Sequence, residues 1–276
     1  VPELTNPRAE RVKAVRALAG RPMRERRGRF LVEGPQPVRE LVRYMPALVH
    51  DLFMTAAAGQ RYPEILAAAH AADLSVETGT VEVLDAMSRD AQGVLAVAQT
   101  WTPTLDQLGQ PRLVAVLVEV RDPGNAGTVI RAADAAGANA VVLAGHAVDV
   151  FNPKVVRATA GSLFHLPVIR AGHLPEAIAR LRGSGLQVLA ADGGGDHDLD
   201  GLLDAASWPP GPDAPAGPDL RVPTAWLFGN EAWGLREEDL AQADAAVAIP
   251  LRGAAESLNL AAAAAVCLYA SAHAQR

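Results

Sequence analysis

Three short segments hold the residues whose types and spacing could do chemistry. The first is Asp122-Pro123-Gly124-Asn125-Ala126-Gly127-Thr128-Val129-Ile130-Arg131. It reads as a Pro-Gly turn entering a helix N-terminus, where free backbone N–H groups can hold an anion. Arg131, one turn inside that helix, offers a planar guanidinium suited to phosphate on the side that can face the same ligand. Asp-Pro-Gly-Asn is equally an ordinary turn. The second segment, Leu227-Phe228-Gly229-Asn230-Glu231-Ala232-Trp233-Gly234-Leu235, ends an apolar strand at a glycine that lets a ligand approach the backbone. Glu231 follows, although a carboxylate near a helix start is also favourable for structural reasons alone. The third, Ile249-Pro250-Leu251-Arg252-Gly253-Ala254-Ala255-Glu256-Ser257-Leu258-Asn259-Leu260, leads into an Ala-rich stretch. Ser257 is a natural N-cap. Asn259, read as an amide inside an apolar helix, must find partners.

Regular alternation of strands and helices must position these segments. From residue 112 on, Leu113–Val120 is a near-continuous β-branched run, the pattern of a strand buried on both faces of a parallel sheet. A helix over 127–136, a strand at Ala140–Ala144 and a helix over 153–163 follow. Then come a strand at Leu166–Arg170, a helix over 174–182 and strands at Gln187–Ala191, Thr224–Phe228 and Ala246–Ile249. A short helix over 236–243 separates the last two strands, and a helix from Ser257 to Ala272 closes the chain. Such βα repetition predicts an open parallel sheet, and each candidate segment follows one of its strands, where ligands of these sheets bind. The first third reads as a separate mixed α/β domain. The expected division is 1–99, a linker at 100–111 that lacks periodicity and holds two prolines, and 112–276. Residues 207–220, rich in Pro, Gly and Asp, read as a loop or insertion without assigned function.

Composition narrows the classes. Half of the 276 residues are hydrophobic, so a substantial core is available. The single cysteine, Cys267, excludes an internal disulfide or a cysteine-based zinc site and fits a reducing, cytoplasmic setting. No segment reads as a signal peptide or membrane span. Net charge is −6, but residues 1–30 hold nine Arg/Lys against three acids, a local +6 that leaves −12 on the rest. A basic leading segment on an acidic body is the asymmetry of a chain that meets phosphate backbones locally, although a solvated amphipathic helix has the same look.

Taken together, the three segments resemble the signature motifs of the SpoU/TrmH family of RNA 2′-O-ribose methyltransferases, within the SPOUT superfamily. The family pattern runs as N-x-G-x-x-x-R, then L-x-x-G-x-E-x-x-G-L, then I-P-x-x-G-x-x-x-S-L-N. The matching residues are Asn125, Gly127 and Arg131; Leu227 (one position closer to the glycine), Gly229, Glu231, Gly234 and Leu235; and Ile249, Pro250, Gly253, Ser257, Leu258 and Asn259. Each motif alone is weak or moderate, but their joint occurrence and order are specific. The resemblance covers 112–276. Gly28-Arg29-Phe30-Leu31-Val32-Glu33-Gly34 adds a shorter likeness to the family's ribosomal-protein-like substrate-binding domain.

This resemblance implies a trefoil-knotted parallel-sheet domain behind a small α/β RNA-binding domain, a fold that general rules of chain threading would not lead one to expect. It implies S-adenosylmethionine as cofactor, held at Leu227, Gly229, Asn230, Ile249, Leu251 and Leu258. A homodimer with each active site near the subunit interface is also implied. Arg131 would act on the 2′-hydroxyl and its adjoining phosphate. A guanidinium stays protonated at ordinary pH, so stabilising a developing alkoxide is the safer role than that of a base. Asn125 would position Arg131 or the ribose. Glu231, Ser257 and Asn259 would order the cofactor loops and substrate. Ribosomal RNA is favoured over transfer RNA, because a separate N-terminal domain can grip folded RNA away from the reacting ribose.

Competing readings are a transfer-RNA methyltransferase, a base methyltransferase of the wider superfamily and a non-catalytic RNA-binding protein on the same fold. A nicotinamide or flavin oxidoreductase is disfavoured. The run Gly193-Gly194-Gly195-Asp196 lacks the G-x-G-x-x-G spacing, and no helix-like segment is read after it. Asp196-His197-Asp198 reads as solvated surface, and no metal is expected.

Overall fold

The computed structural model describes residues 3–208 and 217–276. Most of the 207–220 insertion therefore lies outside the described residues. The chain divides into two compact units, Val1–Trp101 with Asp149–His165, and Thr102–Val148 with Leu166–Arg276.

The first unit is built on four strands: β1 (Arg29–Glu33), β2 (Val49–Met54), β3 (Val76–Thr78) and β4 (Val94–Gln99). Their order is β1-β4-β2-β3, antiparallel except for the parallel β2/β3 pair. The helix Arg21–Arg27 stops at Gly28, whose φ of 61° is easy only for glycine, and this reverses the chain into β1. On one face of the sheet, Leu31, Phe53, Leu95 and Val97 pack with Val12, Val15 and Leu18 of the leading helical segment. Residues 149–165 join this unit. Phe151 packs its ring 4.7 Å from Phe30 and 5.2 Å from Trp101. Arg24, 4 % exposed, donates to Asp149 at 2.7 Å, and Arg157 pairs with Glu33. Nothing in the sequence marks these residues, which fall inside the expected 112–276 region, as spatial neighbours of the first third.

The second unit is one parallel sheet of β5 (Leu113–Val118), β6 (Ala140–Ala144), β7 (Val168–Ala171), β8 (Gln187–Ala191), β9 (His197–Asp198), β10 (Thr224–Phe228) and β11 (Ala245–Ala248). The order is β7-β6-β5-β10-β8-β11-β9, parallel at every pairing. The chain steps outward on one side from β5 to β6 and β7. It then crosses to the other side for β8 and β9, β10 returns to fill the gap beside β5 in register Leu227 to Val116, and β11 enters last between β8 and β9. Strands β5 and β6 are buried at every position, as their Val/Leu/Ala runs demand of a sheet covered on both faces. Of the segment read as a linker, residues 102–111 are part of this unit: Leu105 and Leu108 pack against its core.

Several local expectations shift. The first motif helix begins at Pro123, not near 127. Asp122 caps it by accepting from the Asn125 N–H at 2.7 Å, so the expected turn is the first helical turn. The last helix is Leu260–Ala274, and its N-cap is Asn259, not Ser257: the Asn259 Oδ1 accepts from the Ala261 N–H at 2.9 Å. Asn259 is thus an exposed cap, not an amide buried inside the helix. A helix unread in the sequence, Leu199–Ala206, follows the glycine run; Asp198 caps it through the Gly201 N–H at 2.8 Å.

Candidate active site

A cavity of 520 Å³ opens at the carboxyl ends of four adjacent strands, β5, β10, β8 and β11. It lies where strand order reverses, the place such sheets bind ligands. Each wall comes from the loop after one strand, and local sequence explains each loop.

After β10, the chain makes a tight turn closed by two reciprocal backbone bonds. The Asn230 N–H donates to the Gly234 carbonyl at 3.0 Å, and the Gly234 N–H to the Asn230 carbonyl at 2.9 Å. The turn forces two glycines. Gly234 has φ 70°, and a Cβ on Gly229 would collide with the Gly234 backbone. Asn230 is 6 % exposed, and its side chain is a latch: Nδ2 donates to the Glu119 carbonyl at 2.7 Å while Oδ1 accepts from the Ala232 N–H at 2.9 Å. Glu119, just beyond β5, is held at φ 51°, a backbone strain of the kind that collects at functional sites.

A chain of hydrogen bonds then joins all three motifs at the rim. Glu231 Oε1 accepts from the Asp122 N–H at 3.2 Å and from Asn125 Nδ2 at 3.4 Å, which ties the second motif to the first. Asn125 Oδ1 in turn accepts from Asn259 Nδ2 at 3.0 Å, which ties the first to the third. The third motif crosses the mouth with Leu251 and Leu258 exposed although apolar, at 41 % and 39 %. The last helix is pinned beneath by the buried Trp226, whose indole N–H donates to Ser271 Oγ at 2.8 Å.

Of the expected cofactor-contacting residues, Gly229, Asn230, Ile249, Leu251 and Leu258 line this cavity. Leu227 does not: it is fully buried in the core, and its strand neighbour Phe228 forms the wall instead. Asn125, Glu231, Ser257 and Asn259 are brought together at the same cavity. Arg131 is not among the lining residues. It is exposed, and its side chain makes no hydrogen bond or ion pair among the described residues. The reason is angular. With the helix starting at Pro123, the six residues from Asn125 to Arg131 rotate the side chain by about 240° net, at 3.6 residues per turn.

Sequence reasoning missed Ala191, Asp192 and Gly193 after β8, and Glu256. The first residue of the glycine run set aside as a failed dinucleotide loop, Gly193, is part of the site. Gly195 lies so close to the Ala246 backbone that a Cβ would not fit, and Asp192 folds the loop by accepting the Gly194 N–H at 2.9 Å. The strand-end rule that singled out the other loops, applied to Gln187–Ala191, would have found it. Asp198 in the acid–His–acid run serves as a helix cap.

The model of the SpoU rRNA methylase family matches residues 112–269, and that of the RNA 2′-O ribose methyltransferase substrate-binding domain matches 31–102. The chain belongs to the SpoU rRNA methylase family. A 23S rRNA (uridine(2479)-2′-O)-methyltransferase of Streptomyces viridochromogenes is 32% identical over 267 residues, 91% of this chain and 85% of that protein. The Bacillus subtilis 23S rRNA (guanosine(2553)-2′-O)-methyltransferase RlmP is 32% identical over 276 residues, 97% of this chain and 98% of its own. In structure, this SpoU methylase resembles the AdoMet-bound rRNA methyltransferase from Sinorhizobium meliloti, with a TM-score of 0.79, 30% identity, and 98% and 97% of the two chains covered. The two expected regions, an N-terminal mixed-sheet domain and a C-terminal all-parallel SpoU domain, are those of the family.

Proposed function

We propose that this SpoU methylase transfers a methyl group from S-adenosylmethionine to a ribose 2′-hydroxyl of 23S ribosomal RNA. The observation that carries the reading is the Glu231–Asn125–Asn259 hydrogen-bond chain, which joins all three motifs around one cavity. The cavity fits the cofactor. Its volume is in the range of small-molecule sites. Gly229 lets the Asn230–Gly234 turn close tightly along the cavity wall, and Leu251 and Leu258 offer apolar surface otherwise left in water. Gly229, Asn230, Ile249, Leu251 and Leu258 would hold it, with Phe228 in place of the Leu227 side chain. When bound, S-adenosylmethionine supplies an electrophilic methyl on a good leaving group.

The remaining tasks, alignment and activation of the hydroxyl, fall to the chain. Arg131 has no side-chain partner among the described residues, so its guanidinium is available to the ribose 2′-oxygen and its phosphate, where a fixed cation stabilises developing negative charge. Asn125 and Glu231 hold the first motif's N-terminal turn against the second. Asn259 and Ser257 shape the third at the rim. Ribosomal RNA is favoured by the substrate-binding domain and by the named activities of the relatives, which differ in the nucleotide they modify. We place the protein in the cytoplasm as a homodimer. Among the described residues no helix is long and apolar enough to cross a membrane, and Val266 and Tyr269 on the last helix are 43 % and 51 % exposed, as a subunit contact would use.

The test is methyl transfer from labelled S-adenosylmethionine to protein-free 23S rRNA and to tRNA, followed by nucleoside analysis. A 2′-O-methylated nucleoside from rRNA is expected, with Arg131→Ala slower by about 100- to 1000-fold. A methylated base, or transfer to tRNA alone, would replace this reading by one of its rivals.

A further inference from the structure

Beside the cavity, the Asn230–Gly234 turn carries a side chain that neither the hydrogen-bond chain nor the cofactor seat uses. Trp233 is 45 % exposed, and its indole makes no hydrogen bond among the described residues. An aromatic ring held in water on a turn closed by two backbone hydrogen bonds offers a preformed flat face to a ligand. Two guanidiniums already approach it: Arg121 lies 5.3 Å and Arg236 5.7 Å from the ring centroid. Both are anchored loosely to one carboxylate, Glu119, at 3.5 and 3.4 Å, and both are about half exposed. The three come from two loops, one after β5 and one after β10. Arg121 leaves the end of β5, Trp233 sits on the turn after β10, and Arg236 precedes the short helix Glu237–Leu240. The platform is also coupled to the site, because the Arg121 N–H faces Glu231 Oε2 at 3.5 Å, and Glu231, Ala232 and Gly234 line the cavity around Trp233.

We infer that Trp233, Arg121 and Arg236 form an RNA-binding platform at the cavity rim. The ring stacks a nucleobase close to the ribose being methylated, and the guanidiniums hold its phosphates. The inference rests on the proposed function and adds to it a residue set for the RNA. The chemistry fits single-stranded nucleic acid. Every base has a π-face, so a Trp ring stacks without reading sequence. Guanidiniums combine stacking on aromatic faces with forked donation to phosphate oxygens. A platform on a turn locked by the Asn230 and Gly234 backbone would present a base without ordering the loop first, which lowers the entropic cost of binding.

The experiment uses the full chain as wild type, Trp233→Ala, Trp233→Phe and the Arg121→Ala/Arg236→Ala double variant. S-adenosylmethionine affinity is read by calorimetry, KM and kcat are read for protein-free 23S rRNA, and tryptophan fluorescence is titrated with that RNA. Trp233→Ala is expected to raise KM for RNA by about 5- to 100-fold, Trp233→Phe to retain most of the affinity, and cofactor affinity to stay unchanged in both. The wild-type chain should show RNA-dependent quenching that Trp233→Phe lacks. An unchanged KM for RNA overturns the platform. So does a loss of cofactor affinity in Trp233→Ala, or a change in its sedimentation that reveals a second copy of this chain on the ring. Quenching specific to Trp233 in a chain that transfers no methyl group supports the platform while removing the transfer reading.

Discussion

In the first unit, acids and bases are paired with each other. Arg24 meets Asp149 in the interior, Arg157 bridges Glu33 and Asp90, and Arg11 reaches both Glu77 and Asp51. In the second unit, the three motifs at the cavity rim are joined by hydrogen bonds of 3.0 to 3.4 Å with one carboxylate, Glu231, and no ion pair among them, and the side chain of Arg131, the cation of the first motif, has no partner among the described residues. Charge buried in pairs holds elements together but has little left for a ligand. Polar groups at an exposed rim, only partly satisfied by each other, keep capacity for one. The difference also divides the basic leading segment. Arg11, Lys13, Arg21 and Arg24 are in ion pairs, whereas Arg8, Arg16, Arg26, Arg27 and Arg29 have none among the described residues. The expectation that this segment meets RNA therefore rests on five side chains, not nine.

The contrast can be broken most severely at the buried pair. Arg24→Ala leaves Asp149 without its partner and should destabilise the protein by about 3–5 kcal/mol in a urea titration. The Arg24→Met/Asp149→Leu double variant should recover much of that loss. A single variant that costs under about 1 kcal/mol would mean that this pair holds nothing. A smaller effect on folding but a complete one on the ligand is expected from Gly229→Ala. The added Cβ meets the Gly234 backbone, a strain of about 1–3 kcal/mol, and calorimetry should show cofactor binding lost. Retained affinity would show that the turn yields freely.

On the first unit's surface, Arg26→Ala/Arg27→Ala/Arg29→Ala should leave cofactor affinity intact and weaken RNA binding at low salt. The slope of log affinity against log salt should shallow by about 1 for each phosphate contact removed. An unchanged slope would assign RNA binding to the second unit alone. The smallest expected effect is at Cys267, on the buried face of the last helix, where burial pushes the thiol up to about 12. Only thiolate reacts with iodoacetamide, so the native chain should resist it at pH 8, gain reactivity only as pH climbs toward 12, and react at once when unfolded in urea at pH 8. Rapid native reaction would show that the last helix opens readily.

Hydrophobic runs and motif order were enough to read the parallel sheet, the placement of its strands and most of the cavity wall. The strands Gln187–Ala191 and Thr224–Phe228 lie where the β-branched and apolar runs put them. Such features are local: a strand buried on both faces must be apolar throughout, and a turn needing positive φ must use glycine, whatever surrounds it. Three matters were decided only by the tertiary structure. Asp149–His165 joins the first unit because Phe151 and Asp149 find Phe30, Trp101 and Arg24, partners more than 45 residues distant in the chain. Asp192 and Gly193 enter the site because β10 is inserted between β5 and β8, a strand order that no periodicity records. Arg131 falls outside the cavity lining because a cap at Asp122 makes Asn125 helical, and six residues of helix then separate the two side chains by about 240° of rotation. Residue type follows from local backbone and burial, whereas adjacency between distant loops is set by how the whole sheet is ordered.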